Sequence, residues 1–464
     1  MRILVIVLSL GFLPLFGNAQ KKVIIVKAGS YKASLRVDQD YYKDAWTISP
    51  KVKPDIQEIP VQGKPVPVSF ITDQDSIYFL VEGGKQYNFV VLVNGKDSAF
   101  TQIKGDLFTN PANFSKAYIA SHNQKTFVEI PEVYELVNIV YAITPAGKKD
   151  ADMVYKESDY YKEVLTWFEK FDKAPVVAAV DSLLQGGRYA NVKMDGYAFE
   201  FSPQNKIVRS KVYDRVSWGA KNTLLPIIPQ LQYFSDKSGF RKFFAQHRNY
   251  YRQQIADYRD SLNTKGMQQW LNKNFPDTRY NSFKIIFTPL VAYNQSANWF
   301  YNNGFKEAQA HVNYPYPADF ANRGFSNLAI RIMRGNIVFT ELNHAFINPE
   351  SEKPQYAVQL RNAFADLDKW VEKDKPAQGY ANVYSCFQEY MNWTLVSLRY
   401  TDELPAGEEL EKMLARNETN MTKGRGFKKF TEFDKYAVSL YRSRKAGETV
   451  ADLYPQIIDW CSKQ

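Results

Sequence analysis

The hydrophobic period of this chain is that of strands up to about residue 105 and mainly that of helices beyond residue 125, and that change limits the fold to a β-rich unit followed by a helix-rich one. Val23-Ile24-Ile25-Val26 is a compact β-branched run, and Ser76 to Val81 is a second run, closed by Glu82-Gly83-Gly84-Lys85. Tyr87 to Val93 and Asp97 to Ile103 flank Asn94-Gly95. Both of those turn residues tolerate positive φ, which makes this the strongest hairpin signal in the chain. The meander predicts an antiparallel β-sandwich over residues 20–105. It contains no histidine and no clustered carboxylates, so its role is structural or that of a recognition module.

Residues 106–125 read as a linker, and an α-rich domain is expected over residues 126–464. Pro131 opens a helix over Glu132 to Ile143, and Pro175 opens another that Gly186-Gly187 stops. Phe240 to Leu262 reads as one long polar and aromatic helix, and Met267 to Phe275 as a shorter one. Phe283 to Phe287 is a strand. Ala308 to Val312, with Pro315 and Pro317 beyond it, reads as an edge strand. From Phe325 onward the pattern is helical. The fold class is therefore α+β, in a chain of 464 residues that exceeds the usual single domain.

The first residues point to export. Arg2 supplies a positive start, Ile3 to Phe16 is apolar apart from Ser9, Gly11 and Pro14, and Gly17-Asn18-Ala19 offers small residues for cleavage before Gln20. A signal peptide over residues 1–19 is expected, since the apolar run falls short of the roughly 20 residues a bilayer span needs. No later segment is apolar enough for a transmembrane helix, and the mature protein is expected in the periplasm or outside the cell. The net charge of +10 becomes +9 once Arg2 is removed. The basic residues are scattered and do not alternate with aromatics, which excludes a nucleic-acid groove. Cys386 and Cys461 are the only cysteines. They cannot staple a chain of this size, and pairing or two separate buried thiols both stay open.

Chemistry concentrates in Ile337-Val-Phe-Thr-Glu-Leu-Asn-His-Ala-Phe-Ile-Asn-Pro349. Two histidines one helical turn apart bind one Zn²⁺, and the glutamate after the first activates the metal-bound water as general base. Here Glu341 and His344 hold two of those places and Thr340 the third. At about 100° per residue, Thr340, Glu341 and His344 align with Ile337 and Met333, while Phe339, Leu342 and Phe346 form a second apolar face. A helix apolar on both sides is buried. Downstream, Glu389 aligns with Trp393, Val396 and Tyr400 on the helix Tyr384 to Tyr400. A carboxylate in such a stripe is protonated, paired or metal-bound. An ion pair with Arg399 or another base is the alternative to a ligand role. The chain has no Gly-x-Ser-x-Gly elbow, no motif around either cysteine and no Gly-rich phosphate loop.

At these two segments the chain resembles secreted bacterial proteins classed with gluzincin-type zinc metallopeptidases, whose pattern is His-Glu-Phe-x-His-x-Phe-x-Asn-Pro. Thr340-Glu-Leu-Asn-His-Ala-Phe-Ile-Asn-Pro349 is similar to it, and Glu389-Tyr390 is similar to the third-ligand helix. Tyr87 to Ile103, Glu129 to Thr144 and His247 to Tyr250 extend the resemblance. It implies a zincin-like domain with His344 and Glu389 as metal ligands and Glu341 as general base. Thr340 departs at the first ligand position, and His311 is the candidate substitute ligand or substrate contact. The expected function is a catalytically degenerate peptidase with no cofactor, which binds a peptide or glycan in the cell envelope. Tyr250-Tyr251 and Tyr314-Pro-Tyr316 are expected to supply aromatic contacts. The alternative is an active zinc-dependent metallopeptidase with an atypical ligand set, and a purely structural envelope protein is a third reading.

Overall fold

The computed structural model describes residues 23–61, 64–107, 110–321, 323–380 and 382–464. The expected signal peptide lies outside them. Two compact units divide the chain, Met1–Thr109 and Asn110–Gln464.

The first unit contains β1 (Ile25–Ala28), β2 (Lys32–Val37), β3 (Asp40–Thr47), β4 (Asp55–Val61), β5 (Val66–Ile71), β6 (Ser76–Val81), β7 (Gln86–Val93) and β8 (Asp97–Leu107). These form two four-stranded sheets, β3-β2-β5-β6 and β1-β7-β8-β4. The predicted hairpin joins β7 to β8 through Asn94 and Gly95, at φ 53° and 66°. Alternation along β7 turns Phe89, Val91 and Val93 inward. Trp46, Phe70 and Phe89 meet edge to face at centroid separations of 5.1 and 5.0 Å, each contributing about 2–3 kcal/mol of burial. Antiparallel pairing forms the centre of both sheets, while β1 and β4 add to the second sheet in parallel.

The second unit is mostly helical. Its strands are β9 (Lys125–Glu129), β10 (Phe199–Phe201), β11 (Ile207–Arg209), β12 (Ser282–Thr288), β13 (Ser296–Asn302) and β14 (Phe305–Asn313). Its main sheet has the order β13-β14-β12-β9, with only β13 antiparallel to its neighbour. Ala308 to Val312 therefore lies in an inner strand. The edges are Ser296–Asn302 and Lys125–Glu129.

Two other expectations change. In the segment expected as a linker, Phe114 is fully buried against Tyr118 and Phe305, and Lys116–His122 is a helix capped by Ser115. Phe240 to Leu262 is not one helix. It breaks at His247 and ends in a π-helical turn, Asp257–Ser261, which presents Asp257 to Arg334 and Tyr314.

The motif helix runs from Asn336 to Ser351 and is buried on both apolar sides, as its pattern predicts. Met333 belongs to the preceding helix, Asn327–Arg334, which ends at Gly335. Pro349 has no N–H to give Ala345, and the Tyr280 hydroxyl donates to that carbonyl at 2.8 Å instead. Phe346 stacks on Phe283 of β12 at 6.1 Å, which places this helix on the Phe283 face of the sheet. Phe283 pairs with Ala308, and Ala308 with Trp299, so these residues share that face. The helix Val383–Glu403 lies alongside, tied by the Asn343 amide donating to the Asn392 carbonyl at 3.2 Å. Cys386 and Cys461 are both buried free thiols. Among the described residues no helix is long and apolar enough to cross a membrane.

Candidate functional site

The two adjacent helices bring Glu341, His344 and Glu389 to one place. His344 Nε2 stands 3.8 Å from Glu389 Oε2. Asn392, one turn beyond Glu389, inserts its amide between them, with Nδ2 at 3.1 Å from His344 Nε2 and 3.4 Å from Glu389 Oε2. On the other side of the ring, His344 Nδ1 lies 3.3 Å from Asn348 Oδ1. When the ring is neutral, the form in which it could bind a metal, one tautomer satisfies both contacts: Nδ1–H donates to Asn348, and the Nε2 lone pair accepts from Asn392. The electron pair that would ligate a metal is already in use.

Glu389 is equally committed. Its carboxylate is 3% exposed, and Oε1 accepts from Arg425 at 2.6 Å and from Trp393 Nε1 at 3.0 Å. Arg425 also donates to the Tyr380 hydroxyl at 3.0 Å and lies over the rings of Tyr380, Trp393 and Phe427. Burial pushes the Glu389 carboxyl up, but Arg425 and His344 more than offset it and the group lies below the ordinary range. Arg425 is delivered by a π-helical segment, Asn420–Arg425, that stops at Gly426 with φ 88°. Only glycine adopts that conformation without strain, and a Cβ there would stand 2.7 Å from Lys375.

Thr340 commits its hydroxyl to its own helix. The buried group donates to the Ile337 carbonyl at 2.8 Å. Glu341 keeps its place beside His344, half-buried, and no described residue donates to its carboxylate. Desolvation raises its pKa, with His344 and Lys193 opposing. Lys193 is fully buried, donates to the carbonyls of Asn294 and His311, and is pushed down to about 7 by burial.

His311 lies on the opposite face of the sheet from the motif helix. It pairs with Ile286 of β12 and shares a face with Gln309 and Glu307. Its ring packs near Tyr134 and Tyr197 and is fully buried, and desolvation holds its pKa well below the usual histidine range. The aromatic clusters also differ from expectation. Tyr251 and Tyr314 are buried, and Tyr250 meets Tyr316 hydroxyl to hydroxyl at 3.0 Å. The two clusters pack together instead of forming a surface.

A zinc ion, which the sequence resemblance implies, does not fit these donors. Among the described residues no three His, Cys, Asp or Glu side chains converge into a metal-holding group. Arg425 already supplies the cation that Glu389 needs. A dication about 4 Å from that guanidinium would meet roughly 8 kcal/mol of repulsion at an effective dielectric of 20.

No protein-family model, no curated protein and no solved structure matches this chain. Sequence reasoning missed Arg425, Asn392 and Lys193. Asn392 carried a signal, since it lies three residues after Glu389 on the same helical face. Arg425 carried none, because nothing in Gly424-Arg425-Gly426 announces a partner on another helix.

Proposed function

We propose that this chain is an exported, metallopeptidase-like protein without catalytic activity, which binds a peptide or glycan in the cell envelope. The single observation that supports the loss of activity is the Arg425 guanidinium seated on Glu389. With Asn392 on the His344 lone pair, it turns the ligand positions into a closed polar network. Thr340 fits the same reading, because its hydroxyl serves the helix backbone.

A second reading, an active zinc peptidase with an atypical ligand set, draws on Glu341. That carboxylate remains uncommitted beside His344, as a general base would be. The two readings separate in one assay. Purified mature protein is incubated with a broad set of peptide substrates, with zinc and with chelator. No hydrolysis is expected; chelator-sensitive cleavage that disappears in Glu341→Gln would overturn the proposal. Intact mass of the protein from the envelope fraction tests export, and a mass that retains residues 1–19 would remove that part.

A further inference from the structure

The sheet edge beside the motif helix carries an unusual combination: half of its outward backbone groups are capped by side chains, while its aromatic rings are open. β13 pairs only with β14, so Ala297, Trp299 and Tyr301 direct their backbone groups away from the sheet. Half of those groups already have partners. Trp218 Nε1 donates to the Ala297 carbonyl at 3.0 Å, and the Trp299 N–H is taken by the Asn298 side chain at 2.9 Å. Asn110 donates to the Tyr301 carbonyl at 3.1 Å. The Asn298 amide also reaches the Val216 carbonyl at 2.7 Å, which fixes the Val216–Trp218 segment against the edge.

An added peptide strand needs that ladder free, since main-chain hydrogen bonds supply its affinity. Capping by side chains is how an edge strand is protected from such pairing. The side chains show the opposite character. Trp299 and Tyr301 are 36% and 62% exposed and lie on the face that carries the motif helix. Trp218, tied to the same edge through the Ala297 carbonyl, is 50% exposed. Rings at alternate positions of one strand repeat at about 7 Å, a flat and rigid row. Trp and Tyr combine an apolar ring face with a polar edge, and this suits the C–H faces and hydroxyls of a sugar.

We infer that the ligand surface of the second unit is this edge row, and that it takes a carbohydrate, not an extended peptide. The inference rests on the binding function proposed above and names its ligand class. The test uses the full mature chain in affinity electrophoresis through gels containing xylan, mixed-linkage glucan, galactomannan, amylopectin or polygalacturonate. A pool of extended heptapeptides is examined in parallel by native mass spectrometry. Retention by at least one polysaccharide is expected. The double substitution Trp299→Ala and Tyr301→Ala should weaken it at least tenfold with an unchanged melting temperature, and Trp299→Phe should keep most of it. Retention that the double variant leaves intact overturns this surface. Peptide capture without polysaccharide retention overturns the carbohydrate inference and leaves the binding function standing. If neither class binds, both fail.

Discussion

The Arg425 guanidinium lies 2.6 Å from the Glu389 carboxylate, across 36 residues of sequence and within an aromatic wall of Tyr380, Trp393 and Phe427. Removing one partner of a buried pair leaves the other charge unpaired, and that costs about 3–5 kcal/mol. Arg425→Ala should therefore destabilise the second unit by that amount in chemical denaturation. Removing both charges, with Arg425→Met and Glu389→Met together, should cost much less. If the double variant is as unstable as the single one, the pair is not coupled as its geometry implies.

The same pair governs metal uptake. Restoring a histidine by Thr340→His leaves Arg425 on Glu389 and Asn392 on the His344 lone pair. That single substitution should not bind zinc after dialysis, and neither should the natural chain. Adding Arg425→Met and Asn392→Ala frees both donors, and the triple variant should take up zinc and gain thermal stability with added metal. Metal analysis decides it. Tight zinc in the natural chain would remove the closed-network account.

Asp434 makes the helix behind the site sensitive to pH. It is fully buried on the helix Phe430–Ser443 and accepts from Thr394 at 2.9 Å and Ser397 at 2.8 Å, both on the Glu389 helix. Burial pushes its carboxyl up to about 8 from an ordinary value of 3.8. The native state then holds a proton that the unfolded chain has already lost, so stability falls as pH rises from about 4 to about 8. Relative to Asp434→Asn, the natural chain should lose about 2–3 kcal/mol between pH 6 and pH 8. Parallel stability curves for the two proteins would show that Asp434 is ionised throughout.

Much of this molecule was legible where local rules decide. Asn94-Gly95 fixed a hairpin because few residues tolerate its φ values, and Pro131 and Pro175 each stand at a helix start. The motif helix was readable as buried because both of its faces are apolar. The helices that carry His344 and Glu389 were legible from their apolar stripes, and the two side chains meet at 3.8 Å. What failed depends on distance in sequence. The identity of the edge strand is set by which strands pair across the sheet, and Ser296–Asn302 has no alternation strong enough to announce it. Glu389 was recognised as needing a partner, yet Arg399, the base nearest on its own helix, pairs with Glu403 instead. The true partner arrives on a π-helical turn, whose i→i+5 bonding is rare enough that no simple period marks it.

Lys193 links the site to the sheet and gives a pH response of opposite sign. It is fully buried, and its ammonium donates to the His311 carbonyl at 3.0 Å and to that of Asn294, at the end of the sheet where β13 begins. Burial pushes it down to about 7 from 10.5, with Glu341 opposing. Between those values the unfolded chain holds a proton that the native state has released, so stability rises with pH from about 7 to about 10.5. Lys193→Met keeps most of the buried stem but removes the side-chain donor to both carbonyls, which costs about 1–3 kcal/mol for a group left without a partner. Measured against that variant, the natural chain should gain about 2–3 kcal/mol between pH 7 and pH 9. Glu341 supplies the control: Glu341→Gln removes the charge that favours the protonated lysine, so the rise should begin at a lower pH. A natural chain whose stability does not rise against Lys193→Met in this range would mean that Lys193 keeps its proton, and the Glu341 charge would then be its counterion.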